Sequence, residues 1–278
     1  MLAIAATIRY HNDQRRFNAS PIRFIYYTKK LPKYLQKQTT GNLFRSISLG
    51  MELVQVSPVE YENLFGGAWG GCETPPAALE APSSSSLWIP QGGACRMAVA
   101  GVNSLAQELL DDIDSSTPTT IVIPGGTCTT AVLLQQALRN EEHVEVAVIP
   151  CVGDALYAER QMIQLLRQLG EDDSVLPRIL PADPLQPSRR YVPFGEPHLD
   201  TLETYRRMQD DVELDLLYGA PAWTILRRHL QGSSPLDGRR VIYVHTGGLE
   251  GVHTQLLRYK YRGLLRMDDT VLQSKRVL

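Results

Sequence analysis

The chain has 278 residues, 43% of them hydrophobic, and its 28 Lys and Arg against 30 Asp and Glu leave a formal charge of −2. Such a length and apolar content can bury a sizeable core, as one large domain or as one large and one small. The small charge and the lack of any Lys/Arg stripe argue against nucleic acid, and no segment nears the roughly 20 continuous apolar residues that span a bilayer.

At the N-terminus, MLAIAATIRYHNDQRRF reads first as an amphipathic helix of the fold. Its arginines and scarcity of acids resemble an organelle transit peptide more weakly, so the cytoplasm is expected, with the mitochondrion as the alternative. Strand-like runs then alternate with amphipathic helical segments. The strands are expected at 22–28, 52–56, 87–89, 120–123, 144–149 and 241–244; the helices at 42–49, 95–111, 129–139, 153–169, 198–211, 220–230 and 249–259. That rhythm predicts an α/β fold with a doubly wound, mainly parallel sheet.

Two stretches break it. Residues 66–86 concentrate Gly, Pro and Ser and read as a surface loop or linker, and the proline-rich 174–197 reads as an extended surface excursion. Cys72, Cys95, Cys128 and Cys151 form no CxxC or Cys/His ligand spacing, so no metal is expected and a reducing compartment fits. The carboxylates Asp111, Asp112, Asp114 and Glu171 to Asp173 read as solvated surface.

Three segments share one design, an apolar strand followed by a small-residue turn and a helix: IPQGGACRMAVAG (89–101), IVIPGGTCTTAVLL (121–134) and VIYVHTGGLEG (241–251). In an open α/β sheet such turns face the crevice where ligands bind. Within the middle one, Gly125 and Gly126 allow close backbone approach, and Thr127, Thr129 and Thr130 bring hydroxyls to a helix N-terminus. Free N–H groups and the helix dipole there suit a phosphate. No GxxxxGK[ST] or GxGxxG accompanies them, and a tight turn with threonine caps accounts for the same residues. His245 could shuttle protons, or sit buried at a strand end and be satisfied by backbone. Tyr218, before a Gly-Ala-Pro turn, could face a cleft or pack in the core.

Taken in order, these segments resemble pyridoxal-phosphate enzymes of the tryptophan-synthase-β type (fold type II), and among them the D-cysteine desulfhydrase and 1-aminocyclopropane-1-carboxylate (ACC) deaminase family. TGNLFRSISLGMELVQV (40–56) resembles the family's Gly-Asn segment and the turn after it; WIPQGGACRM resembles its Ile-Pro-Glu-Gly-Gly segment, with Gln91 for Glu; PGGTCTTA resembles its phosphate loop. LDLLYGAPA resembles its Asp-Pro-Val-Tyr segment, and VHTGG nearly repeats its C-terminal motif.

The resemblance implies pyridoxal 5′-phosphate as cofactor, its phosphate cradled by Gly126, Thr127, Cys128, Thr129 and Thr130. It also implies that Thr246 and Gly247 line the pyridine ring near its nitrogen and that Tyr218 faces a small amino-acid substrate, in a homodimer. Cys128 and Thr129 replace two of the family's glycines, so a positive φ at either would be strained. Gly219 stands where the family carries Glu or Thr.

The lysine that the family uses to hold its cofactor covalently has no counterpart: Lys29, Lys30, Lys33, Lys37, Lys260 and Lys275 all lie in other contexts. By the resemblance, residues 1–66 are the remnant of a smaller domain shortened at its N-terminus, 67–86 a linker, and 87–278 the large domain. Two functions follow as expectations. One is a lyase or deaminase that eliminates ammonia from a small amino acid; the other is a catalytically inactive relative kept as a binding or structural subunit, its exposed apolar surface covered by a partner.

Overall fold

The computed structural model describes residues 1–15, 20–37, 39–66 and 86–265. The expected linker lies, but for its last residue, outside the described residues, as do Cys72 and Lys275.

Helix α1 (Leu2–Asp13) leads into strand β1 (Phe24–Lys29), a short helix α2 (Lys33–Lys37), helix α3 (Gly41–Ser48) and strand β2 (Met51–Val56). Strands β1 and β2 pair in parallel from Phe24 opposite Met51 to Lys29 opposite Val56, as a two-stranded sheet. Helix α4 (Pro58–Tyr61) opens with a capping box, in which the Ser57 hydroxyl accepts from Glu60 N and the Glu60 carboxylate accepts from Ser57 N. Two of the orphan donors of that helix start are thereby satisfied.

After residue 86 the chain runs irregularly to a 3₁₀ turn at Gln91–Gly93. The strand expected at 87–89 does not form. Pro90 ends that apolar run, its ring nitrogen has no hydrogen to give a ladder, and Leu87 stays 69% exposed.

Helix α5 (Ala98–Asp112) follows, then β3 (Thr119–Gly125), α6 (Thr129–Ala137), β4 (Val144–Pro150), α7 (Ala155–Leu169), β5 (Arg178–Ile179), α8 (Leu199–Met208), α9 (Gly219–Gln231) and β6 (Arg240–Tyr243). A 3₁₀ turn, Leu249–Gly251, enters helix α10 (Val252–Tyr261). The four strands form a parallel sheet in the order β5-β4-β3-β6. Strand β5 corrects the reading of 174–197 as excursion alone. Arg178 and Ile179 pair with Ala147 and Val148, and Leu180 N donates to Val148 O at 3.0 Å. The prolines around them keep the strand short and confine it to an edge.

Alternation along the strands builds two apolar layers. Ile121, Ile123, Val146 and Val148 face a cluster that includes Val132, Leu134, Met162 and Leu166. Val122, Ala147 and Ile149 face the other way, against Ala222 and Leu226 of α9. With both faces covered, the strands read as unbroken apolar runs, and each buried Val, Leu or Ile contributes about 1.5–3 kcal/mol. A third cluster, including Tyr205, Leu216, Leu256 and Tyr259, packs beneath α8 and α10. This frame places the turns that follow β3, β4 and β6, three adjacent strands, at one end of the sheet, where ligands bind in open α/β folds.

Candidate functional site

The loop between β3 and α6 is the centre of the site. Its base is fixed by the ladder, since Gly125 lies opposite Pro150 and Cys151 N donates to Gly125 O at 2.8 Å. Cys128 then adopts φ 57° and ψ 14°, the positive-φ non-glycine residue among those described. A side chain in that region costs about 1–2 kcal/mol, so the strain expected of the two replaced glycines falls on Cys128, while Thr129 is already helical. The turn aims the start of α6 into the crevice. Val132 N donates to Cys128 O at 3.0 Å, and the N–H groups before it have no acceptor within the helix. Thr127 Oγ1 and Thr129 Oγ1 share a hydrogen bond of 2.9 Å. The Cys128 thiol turns inward, and burial pushes its pKa up to about 12, so it remains a neutral packing group.

Close packing explains the glycines. A Cβ on Gly125 would stand 2.6 Å from Val148 Cγ2 and 2.8 Å from Cys128 Sγ; one on Gly126 would stand 3.1 Å from Tyr218 Oη; one on Gly92 would stand 2.2 Å from Thr127 Oγ1. The structure therefore brings together two of the segments singled out in the sequence: the Gln91–Gly93 turn lies on Thr127, and the Tyr218 phenol lies on Gly126.

Tyr218 is held from several sides. Its ring stands 5.4 Å, centroid to centroid, from Phe194, and its carbonyl accepts from Cys151 Sγ at 3.7 Å. Asp215, 2% exposed, shapes the segment. Its Oδ1 accepts from Leu217 N and Tyr218 N, both at 2.8 Å, and its Oδ2 accepts from Gly219 N at 2.7 Å. The Tyr243 phenol donates to Gly219 O at 3.2 Å. Burial first, then Cys151 and Asp215, pushes the Tyr218 phenol up to about 12, so at neutral pH it is protonated and can donate.

The turn after β6 leaves His245 exposed, not buried as the second reading expected, but satisfied by backbone as that reading had it. Gly247 N donates to His245 Nδ1 at 3.2 Å, and Nε2 lies 3.0 Å from Glu213 O. Both ring nitrogens are engaged with backbone, which assigns the histidine to the turn. Gly247 and Gly248 have φ of 77° and 97°, and Thr246 is exposed. Gly248 abuts Asp215, whose Cγ would lie 3.1 Å from an added Cβ. From the Gly-Asn segment, Gly41 (φ 58°) leaves only 2.7 Å between an added Cβ and Glu250 O, and Thr40 Oγ1 lies 2.8 Å from Thr254 Oγ1. Helix α3 is thus joined to the segment that follows the β6 turn.

No lysine occurs between residues 86 and 259. Lys29 stands 5.0 Å over the Tyr61 ring, Lys30 follows β1, Lys33 and Lys37 lie on α2, and Lys260 is on α10. The residues of the loop fit a phosphate ester, and none of them is a lysine. No group of His, Cys, Asp and Glu fit to hold a metal occurs among the described residues, and none of their helices is long and apolar enough to cross a membrane. Asp215, Phe194 and Gly92 were not singled out in the sequence for what they do here. The clue to Asp215 was its place two residues before an amide-rich turn, the spacing of an Asx turn.

No protein-family model matches the chain, and no curated protein matches it in sequence. Solved structures do. An ACC deaminase homologue superposes with a TM-score of 0.62 at 17% identity, over 88% of this chain and 71% of that one. A fungal L-serine ammonia-lyase from Rhizomucor miehei gives 0.52 at 14% identity, over 94% and 78%. O-ureido-L-serine synthase gives 0.52 at 13%, over 98% and 76%. The chain has the α/β architecture that the sequence implied, the fold of type II pyridoxal-phosphate enzymes.

Proposed function

We propose that the loop of Gly126, Thr127, Cys128, Thr129 and Thr130 binds the phosphate of pyridoxal 5′-phosphate, and that the site acts on a small amino acid by elimination with release of ammonia. The observation that carries this reading is the anion-ready start of α6 with a protonated Tyr218 phenol seated on Gly126. Two of the solved structures that share the fold are described as an ACC deaminase homologue and an L-serine ammonia-lyase. When bound, pyridoxal phosphate would supply an electron sink for a substrate carbanion.

The chain's own residues bind and orient. Backbone N–H groups of the loop, with the Thr127 hydroxyl, would hold the phosphate against the positive end of α6. Thr246 and Gly247, on the turn after β6, would line the pyridine ring. Tyr218 Oη keeps its proton at neutral pH and presents it to the substrate, while the Phe194 ring, itself exposed, packs on the phenol from one side.

A second reading rests on one specific observation, the absence of lysine from residues 86–259. On it, the strands and turns that carry the site lack a lysine of their own for the covalent link that amine exchange and proton transfer need, and the chain serves as a non-catalytic binding or structural subunit. One experiment separates the two. The protein is incubated with pyridoxal phosphate, reduced with borohydride and mapped by mass spectrometry, and ammonia release from D-cysteine, L-serine and ACC is assayed alongside. A reduced cofactor adduct on one lysine with ammonia release establishes the enzyme. Saturable binding with no adduct and no ammonia establishes the binding subunit, and absence of any binding sinks both.

A further inference from the structure

We propose that Asp215 is the positioning residue of this site, a buried carboxylate that holds the Tyr218 phenol on the phosphate loop and couples it to the glycine turn after β6. The inference rests on the reading of Tyr218 and loop 126–130 as the ligand site.

The geometry leads there step by step. Tyr218 enters α9 at its N-terminal cap with φ −125° and ψ −59°, and its own side chain makes no cap bond. Asp215 does that work from the preceding turn, accepting the three consecutive N–H groups of Leu217, Tyr218 and Gly219. Bonds from buried donors to a carboxylate are worth more than those between neutral groups. Fixing those amides fixes the Cα–Cβ direction of Tyr218, and the ring then reaches Gly126.

The other side of the same carboxylate faces Gly248. An added Cβ there would meet Asp215 Cγ at 3.1 Å and Cβ at 3.3 Å, whereas Gly247, one residue earlier and also at positive φ, has nothing within 4 Å. Gly219 is tight for the same reason, its Cβ position lying 2.9 Å from Asp215 Oδ2. One side chain thus determines two glycines from two motifs, and a shift of the HTGG turn is transmitted to the phenol through a rigid contact.

The test labels the full chain with 13Cζ-tyrosine, identifies the Tyr218 signal by its loss in Tyr218→Phe, and uses inorganic phosphate as probe. In the unmodified protein the signal lies away from that of exposed tyrosine and shifts on addition of phosphate. Asp215→Ala is expected to move it to the exposed position and abolish the phosphate-induced shift. Asp215→Asn, whose side-chain oxygen can still accept from Leu217 and Tyr218, retains part of both. Gly248→Ala reproduces the loss, and Gly170→Ala, at a glycine of similar positive φ in open space at the end of α7 and away from the site, does not, a difference that a general stabilising role for Asp215 would not produce.

If Asp215→Ala does not fold, the Asn variant and the paired glycine variants decide. A Tyr218 signal unchanged in Asp215→Ala, or equal in Gly248→Ala and Gly170→Ala, overturns the proposal. If phosphate shifts nothing in the unmodified protein, the phosphate-site reading fails, while the resting position of the Tyr218 signal still judges Asp215.

Discussion

Strand β3 is buried at all seven positions and β4 at all but one, whereas β1 has no fully buried residue and β2 has only Met51. Both pairs are parallel ladders with regular register, so hydrogen bonding does not distinguish them. Cover does: β3 and β4 carry apolar clusters on both faces, while Ile25 and Tyr26 of β1 stay 39% and 37% exposed. Parallel strands gain their stability from layers on both sides. The candidate site is anchored on the covered sheet, which suits a loop in which an added Cβ on Gly125 would stand within 3 Å of Val148 and Cys128.

The largest effect that can test this contrast is a cavity in the covered sheet. Ile123, 1% exposed, packs in the cluster between β3 and the helices on that face, and Ile123→Ala is expected to cost about 2–5 kcal/mol by transfer and cavity terms together. Urea unfolding followed by far-ultraviolet circular dichroism measures it. A loss below about 1 kcal/mol would mean that this sheet does not dominate the fold.

Next in size is overpacking at the loop. Gly125→Ala puts a methyl within 3 Å of Val148 Cγ2 and Cys128 Sγ, and such insertions cost about 1–3 kcal/mol. Because the same residues set the αL turn at Cys128, phosphate affinity should fall along with stability. Isothermal titration with pyridoxal phosphate reads the second effect, and unchanged affinity would detach the loop from ligand binding.

A third prediction concerns alkali. Burial holds the phenols of Tyr191, Tyr205 and Tyr218 up to about 12, against about 10 in an unfolded chain. Between those values the unfolded state releases protons that the folded state keeps. The stability they contribute is therefore complete below about pH 10 and declines as pH rises toward about 12. Tyr218→Phe should make that decline shallower, measured as the urea midpoint on either side of about pH 10; an identical slope would show that the phenol is solvated.

Much of this was legible in the sequence because burial on both faces leaves a plain mark. TIVI and VEVAVI read as strands, and small-residue turns followed them. The strain expected from a side chain in the turn between β3 and α6 appears at Cys128. What the sequence hid depended on tertiary partners. LWI had the composition of a strand and no ladder to join. Arg178 and Ile179, bracketed by prolines, became a strand only because Val148 stood beside them. Asp215 looked like one acid within LDLLYG; its second role, against Gly248, joins residues that only the fold brings together. The His245 ambiguity likewise ended only when Glu213 O was found at Nε2.

The smallest effect lies in the less covered sheet and is the most direct test of the contrast. Ile25 sits on β1, whose partner Glu52 on β2 is itself exposed and pairs with Arg23. Ile25→Ala removes side-chain atoms that water already reaches, so it should cost less than about 1 kcal/mol, several times less than Ile123→Ala. The backbone should report the same asymmetry. Amides of β1 and β2 should exchange with solvent well before those of β3 and β4, because local opening there exposes little apolar surface. Should the two sheets exchange together, with Ile25→Ala as costly as Ile123→Ala, they would form one cooperative unit, and the exposed side chains of β1 would be no guide to its stability.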